Sequence, residues 1–268
     1  MNLIRLPLTV CLLLALGPVW AATPAPAPAT TPTPAPAVSA GVDPIPEWQA
    51  ISTLSPFQGT YQAFYKGRLA GDATLALQQT ADNRWQVSLE VRGKRGFAGV
   101  LGLNLLQTTV FELHDGQFRP LSQLTERRGL FMGKKLEGSY DWSKGTAQWR
   151  GDIRRDRRAP VTLQPGDLSA LLINLAIMRD AAPGARMQYR FADVGRARLH
   201  QYQADPSTAI TEVGELSYNA LRVQRSNSSP GDAMVLWLAS GVPTPIRISQ
   251  REDGEDTIDL QLIEYQGE

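Results

Sequence analysis

The sequence predicts a mainly β protein: a curved antiparallel sheet, or half-barrel-like β domain, carrying one amphipathic helix. Three observations predict it. Apolar residues alternate with polar ones from Phe57 onward, short turn motifs separate these runs, and a single segment switches to helical spacing. The firmest strand is Trp85, Val87, Leu89 and Val91 on one side, with Gln86, Ser88, Glu90 and Arg92 on the other. Such a pattern fits a sheet with one wet face.

Tyr61, Ala63 and Tyr65 alternate in the same way, as do Leu75 and Leu77, and Met187, Tyr189 and Phe191. Between the runs stand Lys66-Gly67, Asp82-Asn83, Asp115-Gly116, Ser143-Lys144-Gly145 and Pro230-Gly231, residues that accept turn dihedrals. Near the C-terminus Ile246 and Ile248 answer Ile258, Leu260 and Leu262 across Glu252-Asp253-Gly254-Glu255, a hairpin signal. The helical segment places Leu168, Leu171, Leu172, Leu175 and Ala176 at spacings of three and four. Asp167 is its expected N-cap and Pro183-Gly184 its exit. Its stripe is expected to pack on the sheet. With β-rich sequence on both sides of this helix, either one sheet or two sub-sheets joined by it fits the pattern.

The N-terminus has a different character. Arg5 precedes an apolar run from Leu6 to Gly17, and Val19-Trp20-Ala21 offers small residues at −3 and −1, as a secretory signal peptide over 1–21 would. The sole cysteine, Cys11, falls inside that signal, so an exported chain would carry neither disulfide nor thiol. Residues 22–50 are rich in Pro, Ala and Thr. Proline fixes φ and lacks a donor, which predicts an extended disordered linker whose proline-rich part, 23–46, is about 75 Å long at full stretch. The folded domain is expected over 51–268, and the expected location is the periplasm.

Composition excludes some classes. The chain is 43% hydrophobic and 20% charged, with a formal net charge of +1, so it lacks the strongly basic face of a nucleic-acid binder. His114 and His200 have no metal-ligand partners at usable spacing, and neither a Gly-x-Ser-x-Gly elbow nor a His-Glu-x-x-His helix occurs. No catalytic residue, metal or cofactor is therefore expected. Glu126, Glu137 and Asp141 are carboxylates that a glycan or lipid hydrolase would have to bring together.

The segment from Gly96 to Leu106 concentrates apolar side chains between glycines. Phe97, Val100, Leu101, Leu103 and Leu105 are candidate lid residues over a lipophilic ligand, or a loop in transient contact with a membrane surface; packing on the domain's own core is the competing reading. Arg127, Arg128, Arg154 and Arg155 are candidate anion contacts, because a guanidinium fork suits phosphate and carboxylate. Asp152 and Asp156 are interleaved with the second pair. Trp142 and Trp149 flank a turn as an expected cross-strand pair, and Trp85 and Trp237 sit in patterns that read as buried.

The order of landmarks resembles the DUF3108 family of exported bacterial proteins of unknown function. The likeness runs from an aromatic first strand and hairpin (Tyr61 to Gly71) through Gly96 to Leu106, Phe118-Arg119-Pro120-Leu121 and Gly166-Asp167-Leu168-Ser169. It ends with Val235-Leu236-Trp237-Leu238 and Pro245-Ile246-Arg247-Ile248. This resemblance implies a strongly curved antiparallel structure and, by looser analogy, the half-barrels of periplasmic lipoprotein carriers. The resulting expectation is a monomeric, non-catalytic periplasmic protein that binds a lipophilic small molecule of the cell envelope. The alternatives are a scaffold or interaction protein that holds an envelope protein, and an envelope hydrolase.

Overall fold

The computed structural model describes residues 48–50, 54–94, 104–129 and 133–267. Among the described residues nine strands lie before the helix, the first eight being β1 (Phe57–Tyr65), β2 (Arg68–Gln79), β3 (Trp85–Gly93), β4 (Asn104–His114), β5 (Gln117–Arg128), β6 (Lys134–Asp141), β7 (Thr146–Gly151) and β8 (Val161–Thr162). A short β9 (Asp167–Leu168) leads into helix α1 (Ala170–Asp180). There follow β10 (Arg186–Asp193), β11 (Arg196–Ala204), β12 (Ala209–Val213), β13 (Leu216–Arg225), β14 (Ala233–Ala239), β15 (Arg247–Glu252) and β16 (Glu255–Gly267).

All sixteen strands belong to one sheet. Its path runs β8-β7-β6-β5-β4-β3-β2-β1-β16-β15-β14-β13-β11-β10-β9, with β12 beside β13. Every pairing is antiparallel except β9 with β10. The junction of β1 with β16 joins the N-terminal and C-terminal meanders, which resolves the one-sheet alternative in favour of continuity. Three hairpins turn on Lys66-Gly67, Asp115-Gly116 and Asp253-Gly254, whose paired positive φ angles match the right-handed twist of the strands they join. The expected C-terminal hairpin forms with Ile248 opposite Leu260.

Helix α1 departs from the expectation of an amphipathic stripe. Its residues Leu171 to Met178 are all buried, including Ile173, Ile177 and Met178, which lie off that stripe. A helix apolar all round must be surrounded, and here β3, β4, β5 and β10 all pack against it. Asp167 is not its N-cap either. That residue lies in β9 with its side chain fully buried and ion-paired to Arg190, while Ser169 takes the N-cap position and shares a 2.9 Å hydrogen bond with Thr109.

The sheet does not close through backbone hydrogen bonds. Its two ends, β8 and β9, are joined by residues 163–166, and one end overlaps the other. Ala192 points away from the main core that Met187 and Phe191 face, and packs instead with Tyr140, Ala147, Trp149 and Leu163 in a second small core. Tyr140 donates to Ala192 O at 2.8 Å and to Gln123 Oε1 at 2.5 Å, and Gln123 bonds Asp193 in turn. Trp149 and Trp142 are not a cross-strand pair: Trp149 stands opposite Gly138, whose missing side chain leaves room for the indole. Trp142 lies beyond β6, donating to Pro120 O at 2.7 Å. Trp85 is buried as expected, but Trp237 is half-buried on the outer face, under Arg247. Trp48, placed by sequence in the linker, bonds Ala181 O at 2.9 Å.

Leu172→Ala leaves a void inside the sheet and should lower unfolding free energy in urea by about 2–5 kcal/mol. Tyr140→Phe leaves Gln123 Oε1 and Ala192 O without their donor at the overlap, for an expected loss of about 1–3 kcal/mol; an unchanged midpoint would show that the overlap contributes nothing to stability.

Candidate functional site

The helix fills only part of the space that the sheet encloses. Eleven helical residues rise about 16 Å, whereas the eleven residues of β4 extend about 37 Å. Ser169 meets Thr109 at one end of α1, and near the other Arg179 donates to Gly116 O in the β4–β5 turn. The part of β4 from Asn104 to Thr108 therefore lies beyond the helix. Burial follows that geometry. On the inner face Trp85, Val87, Phe111, Leu236 and Leu260 are buried, while their continuations past the helix, Leu89, Val91, Leu105 and Met234, are half-buried. Ile258, two residues from Leu260 on the same face, is 36% exposed against 2%. Above α1 the described residues leave an apolar stretch of inner face, the hollow, only half-covered.

Leu105, a candidate lid residue, is part of this wall, opposite Val91 and Arg127. The other lid candidates, Phe97, Val100, Leu101 and Leu103, lie outside the described residues. Among the anion candidates, Arg127 is exposed at the same end of β5. Arg128 pairs with Glu126 at 2.9 Å, and Arg154 makes two bonds to Asp156 at 3.0 and 3.1 Å. Arg155 is exposed in a single 3-10 turn, Arg155–Arg157.

The opposite wall carries charges of which the sequence offers Arg157, within the arginine-rich run Arg150 to Arg158, but neither Arg196 nor Arg198 as a candidate. Along the inner face of β11 the order is Tyr202, His200, Arg198, Arg196, running from fully buried to the β10–β11 turn. Gly195 in that turn has φ +67, and a Cβ there would stand 2.0 Å from Arg157 O, so only glycine lets the two turns meet. This contact sets Arg157 beside Arg196 and Arg198. Its Nε is buried without a hydrogen-bond partner, and burial, then the fields of Arg196 and Arg154, lower its pKa. His200 packs 4.7 Å from Phe191; burial first, then Arg225 and Arg198, pushes its imidazole down to about 4. Burial pushes the Asp193 carboxyl up, against the lowering effect of the bonds from Gln123 and from Val194 N–H. The sequence signal for this wall is the arginine run Arg150 to Arg158, which reads as an anion contact or a solvated hairpin; nothing in it points to Arg196 and Arg198 as neighbours of Arg157.

The carboxylates considered for hydrolysis do not converge. Glu126 pairs with Arg128, Glu137 with Lys135 at 2.6 Å, and Asp141 caps its own turn through Ser143 and Lys144, which holds it well below the usual carboxylate range. Among the described residues no three His, Cys, Asp or Glu side chains gather as metal ligands would. At the far end of the sheet a cleft of about 470 Å³ is lined in part by Phe118, Arg119, Trp142 and Pro165. Its charges are already matched: Arg119 lies over Trp142 with Glu112 at 3.5 Å, and Arg179 bonds Asp180 and covers Phe118.

The family model DUF3108, described as a protein of unknown function, matches residues 60–261. That is more than half of the chain, and the chain belongs to this family. No curated protein matches. Similar solved structures include a beta-barrel-like protein of the domain of unknown function DUF1849 from Brucella abortus, with 9% identity and a TM-score of 0.48. The match covers 81% of this chain and 100% of that one. A DUF1089 family protein from Pseudomonas aeruginosa shows 13% identity and a TM-score of 0.34, over 65% of this chain and 87% of that one.

The His200 environment gives a pH signature. Between about pH 6.5 and about 4 the unfolded chain binds a proton at His200 that the folded chain does not, so this group's effect is to lower stability as pH falls through that window and to level off below it. Across that window the wild type should lose up to about 3 kcal/mol relative to His200→Gln. Urea midpoints of both proteins, measured in parallel at each pH, check this; a constant difference would contradict it.

Proposed function

We propose that this DUF3108 protein is a non-catalytic protein of the bacterial periplasm that binds a lipophilic cell-envelope molecule in the hollow above helix α1. The observation that carries this reading is the loss of burial along one continuous inner face. Leu89, Val91, Leu105, Met234 and Ile258 share that face with fully buried residues, yet among the described residues no helix covers them. Inward apolar side chains left half-open gain about 25 cal/mol for each Å² that a ligand removes from water. Because α1 fills the space below, the site takes a chain end or ring near the mouth and does not thread a long chain through the sheet. Periplasmic location rests on the apolar N-terminal run, its small residues at the cleavage positions and the single cysteine inside it.

A second reading, an interaction protein of envelope assembly, is favoured by one feature. Strand β12 is hydrogen-bonded to β13 on one edge and to no strand on the other, and its Ile210 is 67% exposed. Such an edge can accept a strand from a partner.

Native mass spectrometry of the protein purified from periplasm without detergent separates the two. A stoichiometric lipophilic adduct, lost on Val91→Asp with the thermal midpoint shifted by no more than a few degrees, is the expected result. A bare mass together with no uptake of an apolar fluorescent dye would overturn the lipophile reading and leave the β12 edge as the contact surface.

A further inference from the structure

We propose that Arg157, Arg196 and Arg198 form an anion site on the wall of the hollow, and that the ligand is an amphiphile with a carboxylate or phosphate head. This deepens the reading above and rests on it for the apolar part of the ligand.

The three arginines come from two turns held together by the Gly195–Arg157 contact. Arg198 and Arg196 continue the inner face on which His200 and Tyr202 are buried, and Arg198 stands opposite Phe191, whose ring packs on the main core. The charges therefore border the apolar wall. Unlike Arg128, Arg154, Arg190 and Arg247, each of which has a carboxylate partner, none of the three reaches a carboxylate within salt-bridge distance among the described residues. Asp193 stands opposite Arg196 in the β10–β11 ladder, and its Oδ1 accepts from Gln123 and from Val194 N–H; Asp156, the chain neighbour of Arg157, is bonded to Arg154. Gathering like charges is unfavourable unless something neutralises them, and the buried Arg157 Nε is a donor with nothing to donate to. One bidentate carboxylate or phosphate meets both needs, since guanidinium forks match such oxygens in pairs. The head would lie against the β10–β11 side and the apolar tail against Leu89, Val91 and Leu105.

The test uses the full mature protein at low salt with two fluorescent probes, dansyl-undecanoate and its uncharged methyl ester. The expected result is about tenfold tighter binding of the carboxylate, with Arg198→Gln and Arg157→Gln each removing most of that preference and Arg154→Gln leaving it intact. Arg198 is exposed, so its variant carries the test if Arg157→Gln fails to fold. Equal binding of both probes by the wild type would overturn the anion site and leave the lipophile reading standing. If neither probe binds, the lipophile reading fails, and inorganic phosphate followed by NMR at the arginine Nε–H groups decides the site alone. A saturable shift at Arg157 supports a site for a free anion, and no shift overturns it.

Discussion

The burial of helix α1 is the constraint on which the rest of this structure depends. Eight consecutive residues, Leu171 to Met178, are buried, all but Asn174 apolar, and a flat sheet offers cover on one side only. The sheet must therefore curve round the helix. Strands as distant in the path as β3, β5 and β10 then meet the same helix. The length of the helix fixes a second property. At about 16 Å it is shorter than the strands around it, so one end of the wrapped sheet is filled by the helix and the other is not.

How the sheet ends is set by the same geometry. β8 and β9 are two residues long, too short to zip the sheet into a closed barrel, and residues 163–166 hold them close together in the chain. The structure overlaps its edges instead, with Ala192 turned into a second core and Tyr140 tying β6 to β10. Covering an edge in this way removes unpaired backbone groups from the surface. Some of the polar groups that the overlap buries are partnered: Tyr140, Gln123 and Asp193 are linked in a chain, and Asp167 Oδ2 meets Arg190, while Trp149 Nε1 and Asp167 Oδ1 are buried without a hydrogen-bond partner.

Charge is distributed unevenly over this frame. Several arginines of the described surface are matched within a few residues, as with Arg92 and Glu90, Arg128 and Glu126, or Arg154 and Asp156. Pairs of this kind are worth little to stability but leave no net field. The group at the β10–β11 turn differs because its members converge from separate parts of the chain and, among the described residues, none lies within salt-bridge distance of a carboxylate. Together with the half-open apolar wall it makes one end of the sheet unlike the other, where Arg119 and Arg179 are matched by Glu112 and Asp180.

By itself the sequence determined the strands, the turns and the existence of the helix. Alternation and turn dihedrals are local properties, readable in Trp85 to Val91 or in Asp253-Gly254 without knowledge of neighbours. The resemblance to the DUF3108 family was legible in the order of short motifs for the same reason. Only the tertiary structure decided what each element faces. The stripe of Leu171, Leu172 and Leu175 was visible, but Ile173 and Ile177 reveal a surrounded helix only once the sheet is wrapped round it. Asp167 reads as a cap until its carboxylate is found bonded to Arg190, and Trp142 and Trp149 read as partners until β6 and β7 are placed in register. Arg157 and Arg196 are far apart in the chain, and a single glycine contact brings them together. Side-chain period is written in each strand, whereas register, overlap and the meeting of turns depend on pairings between distant segments, which no local pattern encodes.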